Sequence, residues 1–333
     1  MDENIKFSII VPIFNAQEFI LDTLYSISNQ TYRNFEVLLI DDGSTDNTKK
    51  IISEFTRTDH RFRILYQNNS GPNVARNYAM KFSTGEYFVY LDSDDIFLDS
   101  LLYILYSEIS KRKYDIINFG YEFKNFLENK TIYKSNYQRH ELYKKDILMS
   151  SFQPKGISGV CWNKCVKKQL IIDNDIIFLP DRMHGRDILF SRTCAYHADV
   201  ALIIPDILII SRFRQGSYSR SFSEKNILSA IDLLKKQESF FDSKLSNEQM
   251  KFLYMALQRH IRYICVLNAF RTNDFSEYIS NYNMLSNYFN YKLNKNNNVK
   301  INFKYRMLDL MLKYPKIFRI ICTIIKKFGV EPY

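Results

Sequence analysis

Several features that mark other protein classes are scarce or missing in this 333-residue chain. With only 9 Gly and 7 Pro, it lacks the composition of a linker-rich or disordered protein. The 5 Cys are odd in number and follow no zinc or disulfide spacing, which favours core thiols in a reducing compartment. No apolar run approaches the roughly 20 residues of a membrane span, and the acidic start MDENIKF is unlike a signal peptide. A globular, cytoplasmic protein is therefore expected.

Positive charge is in excess, because 46 Lys and Arg residues outnumber 36 Asp and Glu residues to give a net charge of +10. A basic balance suits a nucleic acid, an anionic membrane surface or a phosphorylated small molecule. The charge alone does not choose among these partners.

The first hundred residues alternate between short apolar runs and helix-like segments. Four apolar runs predict strands: 7–14, 35–41, 62–67 and 86–92. Asn15 with Glu18 three residues on has the pattern of a capping box, which predicts that the first helix begins there. Strands that are apolar on both faces and separated by single helices indicate a parallel sheet covered on both sides. The sequence therefore predicts an α/β fold.

The pattern after this region is less regular. Residues 114–123 predict a further strand, and 200–210 predict either one strand or a hairpin interrupted by Pro205. From about Asn226 onward the apolar spacing is helical. The segment 301–328 is apolar and basic, which is typical of a helix on a membrane surface or of an amphipathic helix packed on the core.

Carboxylates follow two of the predicted strands. Asp41 ends the second and Asp42 follows it, while Asp92 ends the fourth and Asp94 and Asp95 follow it. Parallel sheets bind ligands beyond the carboxyl ends of their strands, so these acids are expected to face one crevice. The D-x-D of Asp92 and Asp94 suits a hard divalent cation, which prefers oxygen ligands and retains phosphates as partners. The alternative is a solvated acidic turn with helix-capping carboxylates.

Two further polar residues point to a nucleotide. Asp42 could accept hydrogen bonds from a base or a ribose, or could serve the turn that contains it. Arg76 follows a Gly-Pro turn near the start of a predicted helix and could pair with a phosphate or a base. For Arg76 the alternative is a surface salt bridge.

Several motifs occur in order over roughly residues 6–220. They are FSIIVPIFNAQEF, FEVLLIDDGSTDNT, GPNVARN, TGEYFVYLDSDD, WNK and RDILF. Taken together, they resemble the family 2 glycosyltransferases of bacterial polysaccharide synthesis. The resemblance implies a nucleotide-diphospho-sugar transferase fold of the GT-A type, mainly a parallel sheet flanked by helices, here followed by a C-terminal helical region. It also implies inversion at the anomeric carbon.

The resemblance implies roles for individual residues. The residues it assigns to the nucleotide-sugar are Pro12, Phe14, Asn15, Asp42, Arg76, Asp92 and Ser93. It assigns the metal, Mn²⁺ or Mg²⁺, to Asp94 and the catalytic base to Asp187, although this chain has Arg186 where the family usually has Glu. Asp175 and Asp181 are rival bases. Contacts with the diphosphate or the acceptor are expected from Asp95, Trp162, Arg186, Arg214 and Ser219, and the basic loop 212–220 could close over the diphosphate.

These roles imply a metal-dependent single displacement. A hexose, with glucose and galactose preferred, would pass from a UDP-sugar to a hydroxyl of a lipid-linked or growing oligosaccharide of a cell-surface polysaccharide such as O-antigen or capsule. Residues 1–112 would bind the nucleotide-sugar, residues 113–222 would bind the acceptor and carry the base, and residues 223–333 would be helical. The basic segment 301–328 would hold the protein peripherally at the inner face of the cytoplasmic membrane.

Two other function classes remain open from the sequence. A nucleotidyltransferase should carry a Gly-rich, basic phosphate loop after the first strand, and VPIFNAQEF has none. A non-catalytic protein that binds glycans or RNA is the other, although the acids at the strand ends oppose RNA. No nucleic-acid partner is therefore expected, and the oligomeric state is left open.

Overall fold

The computed structural model describes residues 5–181, 185–213 and 224–257. Contacts divide the chain into two compact units, Met1–Gln215 and Gly216–Tyr333. The strands of the first unit are β1 (Phe7–Ile13), β2 (Phe35–Asp41), β3 (Phe62–Tyr66), β4 (Tyr87–Tyr90), β5 (Ile96–Phe97), β6 (Ile116–Asn125), β7 (Lys130–Lys134), β8 (His140–Tyr143), β9 (Lys164–Lys167) and β10 (Val200–Arg212).

Helices of the first unit connect these strands. They are α1 (Ile20–Ser28), α2 (Thr48–Thr56), α3 (Pro72–Phe82), α4 (Leu101–Lys111), α5 (Lys145–Ser151), α6 (Lys168–Asp173) and α7 (Arg186–His197).

One mixed sheet runs through the described part of the first unit. Its strand order is β3-β2-β1-β4-β9-β6-β10-β5, with β7 on β6 and β8 on β10. Strands β3, β2, β1 and β4 are mutually parallel, and β6 is parallel to β10. Strand β9 runs antiparallel to both β4 and β6, so β6 and β4 share a direction. The carboxyl ends of β1, β2, β4, β6 and β10 therefore lie at one edge of the sheet.

The core explains why the central strands are apolar throughout. All seven residues of β1 and of β2 are buried. Alternate residues of β1, such as Ile9 and Val11, lie in one cluster with Leu24 of α1 and Leu105 of α4. The other face of β1 is covered as well, since Ile10 is fully buried. The prediction of a parallel α/β sheet covered on both sides is confirmed for these strands.

One prediction of local structure is wrong. Helix α1 begins at Ile20 with Phe19 as its N-cap, and no side chain caps it. Asn15 instead adopts a positive φ of 48° in the loop before the helix, where its side-chain oxygen accepts a hydrogen bond of 2.8 Å from the amide of Thr45. The capping-box pattern therefore belongs to a contact between two loops.

Residues 200–212 form one long strand and not a hairpin. Strand β10 absorbs Pro205 by shifting its register against β6 between Ile203 and Ile207, and again before Ile209. Gly120 makes this possible, because a Cβ atom there would lie 2.7 Å from the carbonyl oxygen of Asp206. Residues at such a bulge are not paired with the neighbouring strand, so the absent N–H of the proline costs no ladder hydrogen bond.

The described part of the second unit is helical, as predicted. Helix α8 spans Glu224–Phe241, and residues 247–257 are also helical. The Tyr254 hydroxyl donates a hydrogen bond to Glu238 across these two segments. Among the described helices, none combines the length and apolar character needed to cross a bilayer. The segment 301–328 lies outside the described residues.

A buried carboxylate joins the strands at the opposite edge of the sheet. Glu36 on β2 accepts hydrogen bonds from Ser8 at 2.7 Å, from the Thr84 hydroxyl at 2.9 Å and from the Gly85 amide at 3.3 Å. Burial opposes its charge, but the hydrogen bonds from Thr84 and Ser8 outweigh burial and lower the pKa of Glu36.

This contact predicts how stability depends on pH. Replacing Glu36 with Gln should lower the free energy of unfolding by about 2 kcal/mol at pH 7, because hydrogen bonds to a charged acceptor are lost. Because the pKa of Glu36 is lower in the folded state, its carboxylate stabilises the protein at pH values above the unfolded pKa of about 4.3. This stabilisation is lost as the pH falls through the folded pKa. Urea unfolding from pH 7 down to about 3 should therefore show the two proteins converging. Glu54→Gln, at an exposed position on α2, is the control, and a constant difference at all pH values would contradict the prediction.

Candidate active site

The acidic ends of β2 and β4 lie at the same edge of the sheet, as predicted. Asp41 is the last residue of β2, and Asp42 follows it; Asp92 follows β4 by two residues. Strand β1 lies between β2 and β4 and is parallel to both. Helix α3 connects the two acidic ends, because Asp42 binds the backbone just before the helix and Arg76 within it binds Asp92.

Asp42 is a buried carboxylate with three donors. Its Oδ1 accepts hydrogen bonds of 2.7 Å from the Gln67 side chain and from the Ser70 amide, and its Oδ2 accepts one of 2.8 Å from the Gly71 amide. Gly71 is at φ 98°, a conformation that suits glycine. These contacts fix the loop before α3. Since each carboxylate oxygen has two lone pairs, Oδ2 keeps acceptor capacity toward the crevice.

Arg76 lies deep in the crevice, with a side chain that is 8% exposed. It donates to Asp92 at 2.7 Å and to Asn73 at 3.0 Å. Burial opposes its charge, but Cys161, Asp92 and Asp187 around it hold the pKa of Arg76 above its usual range. The alternative of a surface salt bridge is therefore wrong.

Residues 92–95 form a turn, here called the DxD turn, closed by a hydrogen bond of 3.1 Å from the Asp95 amide to the Asp92 carbonyl. Asp95 points inward and is 3% exposed. Burial first, and then the neighbouring charges of Asp94 and Asp92, raise the pKa of Asp95 well above its usual value. The Ser93 carbonyl oxygen also anchors the turn, because it accepts a hydrogen bond of 3.1 Å from the Thr23 hydroxyl.

Arg212, the last residue of β10, holds the DxD turn from one side. Its amide donates to Asp95 at 3.0 Å and its Nε donates to the Asp94 carbonyl at 3.1 Å. Its guanidinium also pairs with Asp22 at 3.0 Å and lies 4.0 Å from the ring centroid of Phe126. This side chain was expected in a basic loop over the diphosphate, and here it supports the turn that carries Asp94.

Asp187 lies in the first turn of α7, after Gly185 at φ 74°. Its Oδ1 accepts a hydrogen bond of 3.1 Å from the Ile188 amide. Asp187 lies near Arg76, because Cys161, Asp92 and Asp187 together hold the pKa of Arg76 above its usual range against the effect of burial. The preceding Arg186 is fully buried and pairs with Asp181 at 2.6 Å, which leaves it no exposed surface for a diphosphate or an acceptor.

The loop after β1 lies beside the loop after β2. Pro12 is buried within β1, and Phe14 is 45% exposed. The Asn15 amide donates to the Ser44 hydroxyl at 3.0 Å, which holds these loops together near Asp42. An exposed aromatic ring at this edge gives a flat apolar surface against which a base could stack.

Of the remaining residues expected to contact the diphosphate or the acceptor, only Trp162 lies within the described part of the chain. Trp162 is 9% exposed and packs edge-on against Tyr121 with centroids 4.9 Å apart, at the same edge of the sheet. Arg214 and Ser219 lie outside the described residues, as does Arg220.

Sequence reasoning missed Gln67, which holds Asp42, and gave Arg212 a different role. Arg212 holds the DxD turn through Asp95, across 117 residues of sequence. For Gln67 no sequence signal indicated the contact. For Arg212 the strand pattern of β10, which pairs with β5 directly after the DxD turn, could have suggested the contact once the sheet order was known.

The residues at this edge fit one divalent cation that also has substrate ligands. No group of three acidic, His or Cys side chains in the described chain could enclose a metal alone. Clustered carboxylates nevertheless raise the pKa of Asp95, which is the electrostatic setting that a cation relieves. A metal here would therefore need the oxygens of a bound diphosphate beside Asp94.

The support from Arg212 can be tested without a substrate. Arg212→Met should speed hydrogen exchange of the amides in residues 92–97 by about tenfold, because hydrogen bonds from a charged donor to the turn are lost. Hydrogen–deuterium exchange with mass spectrometry measures this rate. Arg112→Met, which removes a surface pair with Glu141, is the control. Unchanged exchange in residues 92–97 would show that the turn holds its shape without Arg212.

Comparisons with known proteins agree with this geometry. The model of the family "Glycosyl transferase family 2" matches residues 8–181. The glycosyltransferase GlyG of Streptococcus pneumoniae is 26% identical over 274 residues, which are 79% of this chain and 87% of GlyG.

Two solved structures resemble the fold. S. aureus TarS 1–349 in complex with UDP-GlcNAc has a TM-score of 0.59 and 21% identity, over 90% of this chain and 95% of that one. The mannosyltransferase PcManGT of Pyrobaculum calidifontis, in complex with GDP-Man and Mn²⁺, has a TM-score of 0.57 and 15% identity, over 99% of this chain and 90% of that one. The predicted GT-A fold is confirmed. Because the family model covers more than half of the 333 residues, the chain belongs to glycosyl transferase family 2 and is a glycosyltransferase.

Proposed function

We propose that this glycosyltransferase moves a hexose from a UDP-sugar to a hydroxyl of a lipid-linked or growing oligosaccharide, with inversion at the anomeric carbon. One observation carries the proposal: Arg76 donates a hydrogen bond of 2.7 Å to Asp92 of the DxD turn, and despite its burial the neighbouring groups Cys161, Asp92 and Asp187 hold its pKa above the usual range. A nucleotide-sugar bound at Asp42 and the DxD turn would present its anomeric carbon toward Asp187. Family membership removes the nucleotidyltransferase and the non-catalytic alternatives.

The donor side would bind the nucleotide. Asp42 would accept a hydrogen bond from the ring N–H of uracil through Oδ2, which has one protein donor at 2.8 Å. Pro12, Phe14 and Asn15 would line the base pocket. Arg76, Asp92 and Ser93 would lie near the ribose and the first phosphate. The UDP-GlcNAc bound by TarS supports a UDP-sugar, while the GDP-Man bound by PcManGT makes a GDP-sugar the competing donor.

Asp94 would hold Mn²⁺ or Mg²⁺ together with the diphosphate of the donor. PcManGT, whose fold this chain shares, was solved with Mn²⁺. When bound, the cation would neutralise the charge that develops on the departing diphosphate. The protein's own part is to hold the turn through Arg212 and to keep Asp92 paired with Arg76.

Asp187 is the proposed base. It would take the proton from the acceptor hydroxyl while the acceptor oxygen forms a bond to the anomeric carbon and the bond from that carbon to the diphosphate oxygen breaks. UDP leaves on the opposite face, and the electron pair stays with it. The rival bases are weaker candidates, because Asp181 pairs with Arg186 and Asp175 is exposed in the turn after α6.

The acceptor and the location are proposed from the sequence. The motifs resemble transferases of bacterial polysaccharide synthesis, so the product would be a cell-surface polysaccharide. Residues 1–112 would bind the donor and residues 113–222 the acceptor. Segment 301–328 of the remaining helical region, 223–333, would contact the anionic cytoplasmic face of the membrane.

A donor panel tests the metal role. With Mn²⁺ and an oligosaccharide acceptor, the wild type should turn over at least one UDP-hexose, and excess EDTA should abolish transfer. Asp94→Ala should lower kcat/KM on the order of 100-fold or more, because charge on the departing diphosphate is no longer neutralised. Asp99→Ala, at an exposed position nearby, should remain active. Binding of GDP-sugars alone would overturn the UDP assignment, and EDTA-resistant transfer would overturn the metal.

A second substitution tests the base. Asp187→Asn should lower kcat by about 10² to 10⁴ while UDP-sugar affinity, measured by calorimetry, stays within about threefold. Asp199→Asn, exposed just beyond the other end of α7, serves as the matched control. NMR of the product should show an anomeric configuration opposite to that of the donor. A fully active Asp187→Asn protein would move the base elsewhere, and a retained configuration would rule out single displacement.

A further inference from the structure

Lys164 is a lysine whose side chain the protein buries completely, at 0% exposure at the start of β9. Its Nζ donates hydrogen bonds to the Val160 carbonyl and to Asn163 Oδ1, the latter at 3.3 Å. Among the ion pairs of the described residues, none involves Lys164. Burying an ammonium group without a carboxylate at contact distance is costly. The burial of this charge therefore points to a role of Lys164 other than stabilising the fold.

The anchor of Lys164 is shared with the helix that carries Asp187. The Val160 carbonyl also accepts a hydrogen bond of 3.3 Å from Ser191 on α7. Next to it, a Cβ atom on Gly159 would lie only 3.1 Å from the Ile188 side chain, so α7 packs closely on this segment.

Helical spacing then relates Lys164 to Asp187. Asp187, Ser191 and Cys194 follow one another at intervals of four and three residues, so they share one face of α7. Lys164 and Ser191 donate to the same carbonyl oxygen, so the ammonium group lies against α7 about one helical turn from Asp187.

The titratable groups around Lys164 come from two elements. Burial lowers the pKa of Lys164 to about 8, while Cys161, Asp187 and Cys194 act in the opposite direction. Burial raises the pKa of Cys161 to about 12 and that of Cys194 above its usual range, so both thiols are neutral at pH 7. Asp187 is thus the one carboxyl among the three. Arg76, from α3, is a second cation that faces Asp187.

We propose that Lys164 is a positioning residue that keeps Asp187 ionised and oriented through a buried positive charge on the protein side of the carboxylate. The inference rests on the proposed function, because it requires Asp187 to be the base. Because Asp92 and Asp187 both neighbour Arg76, Asp187 would otherwise bind a proton more readily in the field of a second carboxylate. A buried cation nearby stabilises the ionised form without occupying the surface that the acceptor needs.

The pH dependence of transfer tests this role. With full-length protein, a UDP-sugar and an acceptor, kcat/KM would be measured from about pH 4 to pH 8. Lys164→Met should shift the acid limb of the profile of kcat/KM against pH upward by about one pH unit, because the positive charge that favours the ionised form of Asp187 is removed. Lys164→Arg should keep the wild-type limb. Lys167→Met is the control, because Lys167 lies on the same strand but faces Asp115 at 3.6 Å.

Unfolding measurements separate this role from a structural one. The folded pKa of about 8 lies below the unfolded value, so the folded state binds fewer protons between the two. Wild-type stability should therefore rise relative to Lys164→Met between pH 8 and about 10.4, and the variant should be at least as stable at pH 7. A lysine with only a structural role would leave the variant less stable across the range and its acid limb unmoved.

The outcomes distinguish this inference from the proposed function. An inactive Asp187→Asn with an unmoved limb in Lys164→Met overturns the role of Lys164 alone. An active Asp187→Asn overturns the base and this inference together. Should Lys164→Met fail to fold, the pair Lys164→Arg and Lys164→Gln decides: a limb that moves only in the neutral variant supports the role, and equal limbs overturn it.

Discussion

The repulsion among three carboxylates at the end of a buried strand is the constraint around which this edge of the sheet is organised. The three carboxylates are accommodated in different ways. Asp92 pairs with Arg76 at 2.7 Å, and Asp95 turns inward to the Arg212 amide at 3.0 Å. Asp94 remains at the rim, partly exposed, with its backbone carbonyl held by Arg212. Asp92 and Asp95 thus accept hydrogen bonds from Arg76 and Arg212, and Asp94 is the carboxylate that we propose holds a cation together with the substrate.

Helix α3 and the loop before it link the two acidic strand ends. That loop is fixed by Asp42, and within the helix Arg76 reaches Asp92, so the two acidic strand ends cannot shift independently. The electrostatic groups are therefore already in place before a substrate arrives. Preorganisation of this kind avoids reorienting dipoles during the reaction, and this saving is a large part of what enzymes contribute to rate.

The sequence predicts those parts of this arrangement that follow from the pattern of neighbouring residues along the chain. Strands β1, β2 and β4 could be read directly, because their apolar runs reflect burial on both faces. The acids that follow β2 and β4 could then be assigned to one edge. Asn15 was misread because a capping pattern and an inter-loop hydrogen bond need the same short polar side chain. The antiparallel strand β9 depends on tertiary neighbours, which no local pattern encodes, and the same holds for the burial of Arg186, although its partner Asp181 is close in sequence.

The 117 residues that separate Asp95 from Arg212 have a consequence for how the protein is made. A ribosome adds about 5 to 20 residues per second, so the turn and the arginine that holds it emerge roughly 6 to 24 seconds apart. During that interval the nascent chain can pair β1, β2 and β4 while their acidic ends lack their last support. Long-range pairing of this sort also slows folding. The edge that carries the proposed active site is accordingly completed late in synthesis, after strands β1, β2 and β4.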